Sequence, residues 1–278
     1  MAEIIDGKKI AEEIKADLAK EIFQNFYKPN LAVILVGSDP ASQLYVSLKK
    51  QAAKKVGIEF HEYLMPENTP QEKILEAIDF LNHDENIDAI LIQLPLPNNL
   101  NTDKIIQSID PAKDVDGFHP ENIKKLLNNE TNFIPGLPLG IIKLLESTKE
   151  NLANKKAVII AKSEIFYQPL KKLLNNLKVE TEIVDPKDKN IKDKTKTADI
   201  LISAVGLAFF ITADMVKDKA IVIDVGTNKV NDYTVGDVDY SSVFEKTSHI
   251  TPVPGGVGPM TVAMLLYNTL QLYKKNRA

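Results

Sequence analysis

Short aliphatic runs, each cut off by glycine, proline or a polar residue, constrain this chain more than any other feature. Residues 31–36 (Leu-Ala-Val-Ile-Leu-Val) stop at Gly37, and residues 89–94 (Ala-Ile-Leu-Ile-Gln-Leu) stop at Pro95. Residues 157–161, 200–203 and 220–224 repeat the pattern, and 179–184 is a further strand-length segment. Runs without polar alternation predict strands buried on both faces, as in a parallel sheet. Helix-length segments separate them. Residues 8–27 place Ile10, Ile14, Leu18 and Ile22 at roughly helical spacing; 40–56 opens on Pro40 and ends at Gly57; 70–83, 168–177 and 260–275 read the same way. This rhythm predicts an α/β fold, with a second block beginning near Asp116 whose four strands suit a doubly wound nucleotide-binding sheet.

Composition narrows the function. A chain of 278 residues, 44% hydrophobic, can bury a substantial core. A net charge of -4 gives no global field to recruit nucleic acid or a membrane surface. The absence of cysteine excludes disulfides, thiolate metal sites and a cysteine nucleophile. His61, His83, His119 and His249 are too scattered for a metal motif, so no metal is expected. The N-terminus lacks a basic start followed by an apolar stretch, and no apolar run approaches the ~18 residues that span a bilayer. A cytoplasmic protein is the expectation.

Several local patterns carry chemistry. Tyr45 and Lys49 stand four apart in a predicted helix, hence one turn apart on one face. A ring and an amine so placed can flank one ligand, with burial letting the amine act as an acid or base, or can be a surface lysine beside a half-buried tyrosine. Gln93 ends a buried strand, where ligands of open α/β sheets sit. Asp116-Gly117 is a turn signal that presents a carboxylate able to accept two N–H bonds from an amino-heterocycle. The segment Thr251-Pro-Val-Pro-Gly-Gly-Val-Gly-Pro-Met-Thr261 is stiff yet permits close backbone approach, and it runs into a helix N-terminus that favours anions. Ala161-Lys-Ser-Glu-Ile-Phe-Tyr-Gln-Pro169 follows a strand where a dinucleotide loop belongs, without the usual G-x-G-x-x-G.

The order and wording of these segments resemble the bifunctional methylenetetrahydrofolate dehydrogenase/methenyltetrahydrofolate cyclohydrolase family. The resemblance rests on Asp39 to Lys49, Gln93-Leu-Pro-Leu-Pro97, Lys113-Asp-Val-Asp-Gly-Phe-His-Pro120, Ile223-Asp-Val-Gly226, Gly236-Asp-Val-Asp239 and Thr251 to Thr261. It covers essentially the whole chain. It implies an N-terminal catalytic domain over 1–118, completed by the last helix at 260–278. A Rossmann-like NAD(P)-binding domain would occupy 119–259, with a cleft between the two. Tyr45 would stack on a tetrahydrofolate derivative, Lys49 would be the main catalytic residue, Gln93 would tune it and Asp116 would anchor the pterin. Leu94, Pro95, Pro254, Gly255 and Gly256 would line the substrate. Ala161, Lys162, Ser163, Pro186, Gly206, Thr227, Gly258 and Thr261 would hold NADP. A homodimer through the nucleotide-binding domain is also implied.

The cofactor half departs from the family pattern. Relatives usually carry Gly-Arg-Ser-x-x-Val-Gly-x-Pro where this chain has Ala161 to Pro169, so Tyr167 puts a ring where a glycine is usual. Val184-Asp185-Pro186 replaces a Cys-His-Ser-like stretch, and Pro135-Gly-Leu-Pro138 replaces Pro-Cys-Thr-Pro. Lys162 for arginine is unsurprising in a chain whose only arginine is Arg277. The leading expectation keeps both activities. The alternatives are a cyclohydrolase with weak or lost dehydrogenase activity, a preference for NAD, and a non-catalytic folate-binding module.

Overall fold

The computed structural model describes residues 2–131 and 133–277; Met1, Asn132 and Ala278 lie outside the described residues. The first elements are β1 (Glu3–Ile4), α1 (Gly7–Gln24), β2 (Asn30–Val36), α2 (Pro40–Val56), β3 (Glu59–Met65), α3 (Gln71–His83), β4 (Ala89–Ile92), α4 (Thr102–Ile106), α5 (Pro120–Leu127) and α6 (Gly136–Ser147). Then follow β5 (Lys156–Ala161), α7 (Glu164–Asn176), β6 (Glu180–Val184), α8 (Ile191–Thr195), β7 (Ile200–Ala204), β8 (Ala220–Asp224), β9 (Asn228–Val230), β10 (Tyr233–Val235), α9 (Tyr240–Val243), β11 (Thr247–Ile250) and α10 (Val257–Asn276). No helix among the described residues is long and apolar enough to cross a membrane.

The chain divides into two compact units: Met1–Ala11 with Leu137–Thr261, and Glu12–Gly136 with Val262–Ala278. Residues 119–136, placed by sequence with the nucleotide-binding half, cluster instead with the unit that holds β2. Two contacts account for this. Phe133 packs on that unit's core, and the buried Asn268 donates to the Val115 and Ile134 carbonyls at 3.1 and 3.0 Å. The N-terminal residues go the other way, because β1 pairs in parallel with β11.

The unit holding β2 is built on a parallel sheet in the order β3-β2-β4. Every residue of β4 and all but the first of β2 are buried. At about 1.5–3 kcal/mol for each buried large aliphatic side chain, burial on both faces explains why these segments carry no polar alternation. α2 starts on Pro40 behind Asp39, whose carboxylate accepts from Ser42 N at 2.8 Å, and it stops where Gly57 adopts φ 87°.

The other unit is built on six parallel strands in the order β1-β11-β8-β7-β5-β6, with β9 and β10 forming a separate antiparallel ribbon. α7 begins at Glu164, earlier than the helix predicted over 168–177, and Pro169 lies inside it. Ser163 supplies the N-cap position.

Candidate active site

The carboxyl ends of β2 and β4 place one set of side chains together. β2 leads into α2, which carries Tyr45 and Lys49 one turn apart. β4 ends at Ile92, and the next residue, Gln93, is held by its N–H to the Ile34 carbonyl at 2.9 Å. Lys49 Nζ donates to Gln93 Oε1 at 2.8 Å, while Gln93 Nε2 donates to the Leu94 carbonyl at 2.6 Å. The Leu94–Pro95 peptide is cis.

Asp116 reaches the same place from a third segment. Ile90 of β4 bridges in parallel to Asp114, so the chain at 114 runs beside the strand. The buried Asp114 carboxylate then ties the following turn. It accepts from Gly117 N at 3.1 Å, His119 N at 2.8 Å and Asn122 Nδ2 at 3.0 Å. Gly117 has φ 73°, and a Cβ there would press on Pro135, so the turn needs glycine. Asp116 is thereby presented on a braced loop.

The electrostatics of the group follow from its burial. Loss of solvent pulls the Lys49 amine below the ordinary lysine range, and the negative charge of Asp116 restores only part of the shift. Burial pushes the Asp116 carboxyl up to about 6, with Lys49 opposing and Asp114 reinforcing. Both groups therefore change charge closer to neutrality than free side chains do, which suits proton transfer. Tyr45 is 42% exposed, leaving its ring open to a flat ligand.

The six-stranded unit gathers a second set at the carboxyl ends of its strands. Ala161, Lys162 and Ser163 follow β5; Pro186 follows β6; Gly206 follows β7; Thr227 follows β8. Gly258 and Thr261 lie in the first turns of α10, with Thr261 Oγ1 donating to the Gly258 carbonyl at 2.7 Å. Ser163 makes no side-chain cap bond, and a Cβ at Gly206 or Gly258 would meet open space. Free donors at a helix N-terminus beside open glycines fit a dinucleotide. Tyr167, the bulky departure, directs its hydroxyl to Glu164 Oε1 at 2.8 Å, along its own helix. In the proline-glycine loop, the Val253–Pro254 peptide is cis, Gly255 has φ 111°, and its carbonyl accepts from Lys8 N at 2.8 Å. Gly256 lies so close to Gly7 that a Cβ on Gly7 would come within 1.9 Å of the Gly256 carbonyl oxygen.

Two further buried carboxylates escaped the sequence reading, although their segments belong to the resemblance. Asp237 accepts from Ser203 Oγ, Val205 N, Leu207 N and Asn228 Nδ2 at 2.8–3.0 Å, clasping the loop that contains Gly206. Asp224 accepts from Gly226 N, Asp237 N and Val238 N at 2.9–3.0 Å; burial pushes its carboxyl up to about 6. Among the described residues, no cluster of three or more His, Asp or Glu side chains is placed to hold a metal ion.

Residues 5–116 match the model of the tetrahydrofolate dehydrogenase/cyclohydrolase catalytic domain, and residues 135–277 match that of its NAD(P)-binding domain. The bifunctional protein FolD of Nitratiruptor is 47% identical over 279 residues, covering 99% of each chain. The structure of the bifunctional FolD methylenetetrahydrofolate dehydrogenase/cyclohydrolase from Campylobacter jejuni superposes with a TM-score of 0.95 at 42% identity, covering 99% of both chains. The Trypanosoma brucei enzyme, solved with NADP and an inhibitor, gives a TM-score of 0.93 at 33% identity over 99% of this chain and 98% of that one. Two matched domain models and full-length relatives above 40% identity leave one conclusion: the chain belongs to the tetrahydrofolate dehydrogenase/cyclohydrolase family.

Proposed function

We propose that this chain oxidises methylenetetrahydrofolate to methenyltetrahydrofolate with a nicotinamide dinucleotide and then hydrolyses the product to formyltetrahydrofolate. The observation that carries the reading is the Lys49–Gln93 hydrogen bond at a strand end, beside a carboxyl whose pKa is raised to about 6. A non-catalytic folate module would have no use for a lysine held in so costly an environment.

Each residue takes a role that its surroundings support. Tyr45 stacks on the folate and orients it. Asp116, ionised above about pH 6, accepts hydrogen bonds from the pterin's amino-heterocycle. Leu94 and Pro95, next to Gln93, pack on the substrate. Lys49 moves protons during attack of water on the methenyl cation and the ring opening that follows. A nearby cation lowers its pKa further, so the neutral amine becomes more available as that intermediate forms.

A bound nicotinamide would supply the hydride acceptor. The chain contributes positioning: Lys162, Ser163, Gly206, Thr227, Gly258 and Thr261 hold the dinucleotide, with Ala161 and Pro186 shaping its walls. The matched domain is NAD(P)-binding, and a trypanosomal relative was solved with NADP, so the dinucleotide is NADP or NAD. The protein acts in the cytoplasm as a homodimer; sedimentation of the purified protein tests the latter.

Methenyltetrahydrofolate absorbance and reduced-dinucleotide absorbance, followed together, test the function. Wild type should consume the first and produce the second, and Lys49→Ala should lose the hydrolysis. Unchanged hydrolysis in Lys49→Ala would overturn the assignment.

A further inference from the structure

We propose that Asp185 sets the dinucleotide choice of this chain and makes it bind NAD more tightly than NADP; the inference rests on the dinucleotide site proposed above.

The argument starts from strand register. β5 and β6 are parallel neighbours, with Ile160 paired to Val184. Ala161 and Asp185 therefore leave adjacent strands side by side, about 4.8 Å apart. One chain continues into the free N-terminus of α7, where a pyrophosphate belongs. The other presents an acidic residue about 20 positions beyond that loop, the place in a doubly wound sheet from which a carboxylate accepts the ribose hydroxyls.

Asp185 is equipped for that task. It is exposed, and Pro186 behind it is buried. Its Oδ1 accepts from Lys187 N at 2.7 Å, which fixes the carboxylate against the backbone. Among the described residues no ion pair reaches it. The neighbouring Lys194 is already engaged by Asp188 at 2.7 Å and by Glu182 at 3.5 Å, so it is not available to neutralise Asp185 or a phosphate.

Charge then decides between the two dinucleotides. NAD offers a 2′-hydroxyl that donates to a fixed carboxylate. NADP offers a phosphate of charge near −2, repelled by the same group at about 1 kcal/mol per unit charge at 4 Å even in water. Lys162, and Lys187 two residues beyond Asp185, oppose this repulsion, but as exposed cations on flexible stems they lose rotamer freedom to do so. Pro186 supplies no side-chain donor. A carboxylate held against the backbone outweighs amines that must first be ordered.

Direct titration of NAD and NADP into the purified protein, read by calorimetry without folate, tests the proposal. Wild type should bind NAD more tightly. Asp185→Asn keeps an acceptor for the Lys187 N–H while removing the charge, and should move the NAD/NADP affinity ratio about tenfold toward NADP. Tighter binding of NADP by wild type, or a ratio that moves less than about twofold in Asp185→Asn, overturns the assignment while leaving the dinucleotide site intact. Binding of neither dinucleotide overturns the site itself, and with it this inference.

Discussion

The Lys49 ammonium donates to Gln93 Oε1 at 2.8 Å, and the Gln93 amide passes a second hydrogen bond to the Leu94 carbonyl. The second bond fixes the first: with its nitrogen committed to a carbonyl, the buried carboxamide must turn its oxygen to the amine. Gln93 joins α2 to the end of β4, and in the proposed function it is a positioning residue that acts through Lys49.

Substitutions at Gln93 should separate orientation from ionisation. Gln93→Ala leaves Lys49 without its acceptor, and methenyl hydrolysis should slow on the order of 10²-fold. Gln93→Glu sets a carboxylate against the amine, raises its pKa and should shift the lysine-dependent limb of the rate profile to higher pH. Rate against pH for both variants checks the pair. A merely structural glutamine would lower the rates without moving the limb.

Asp116 should impose an acidic limb. Its pKa of about 6 means that the folate anchor is lost as the pH falls through 6, so KM should rise there. Asp116→Asn should abolish that limb and hold KM at its raised, low-pH level across the range.

The same raised pKa has a consequence for folding. A carboxyl whose folded pKa exceeds the unfolded one binds more protons when folded. Its contribution is fully present below the ordinary carboxylate range and is lost as pH rises from about 4 to about 6. Asp116→Asn should therefore gain stability relative to wild type on the order of 1 kcal/mol at pH 8, and less at pH 4. Denaturant unfolding at the two pH values measures the difference.

Asp237 should prove structural first and functional second. Asp237→Ala strands the Ser203 hydroxyl, two backbone N–H groups and the Asn228 amide. With about 1–3 kcal/mol for each buried donor left unpaired and partial rescue by water, a loss of roughly 3 kcal/mol is expected. Dinucleotide affinity should fall with it, because the released loop contains Gly206. Urea unfolding and calorimetric titration report the two effects.

Gly7→Ala should be disproportionately costly for one methyl group. The added carbon would overlap the Gly256 carbonyl oxygen, a backbone atom that no side-chain rotation can clear. A destabilisation of about 2–3 kcal/mol is expected. Gly258→Ala meets open space, and its unfolding midpoint should stay close to that of wild type.

Legibility in the sequence tracked how local the determining physics was. α2 was readable to the residue because Pro40 and Gly57 punctuate both ends. β2, β4, β7 and β8 were readable because burial on both faces removes polar residues. β3 was not: it is an edge strand of Glu-Phe-His-Glu-Tyr-Leu-Met, half-exposed, without an apolar run. α7 begins at Glu164 and α10 at Val257, ahead of the spans at 168–177 and 260–275, because Pro169, Gly258 and Pro259 are residues that local propensity keeps out of helix interiors. The Tyr45–Lys49 pairing was visible as a four-residue spacing. The bracing by Asp114, Asp224 and Asp237 was not, because Asp237 takes its donors from residues 203, 205, 207 and 228, and no spacing rule connects them.

The ionisation of one amine tests the central claim most directly. With ¹³C placed at the lysine Cε positions, the NMR signal lost in Lys49→Arg can be titrated in wild type. The signal should titrate below the free-lysine value of about 10.4 and shift again in Asp116→Asn. A titration at or above the free-lysine value, insensitive to Asp116, would contradict the account.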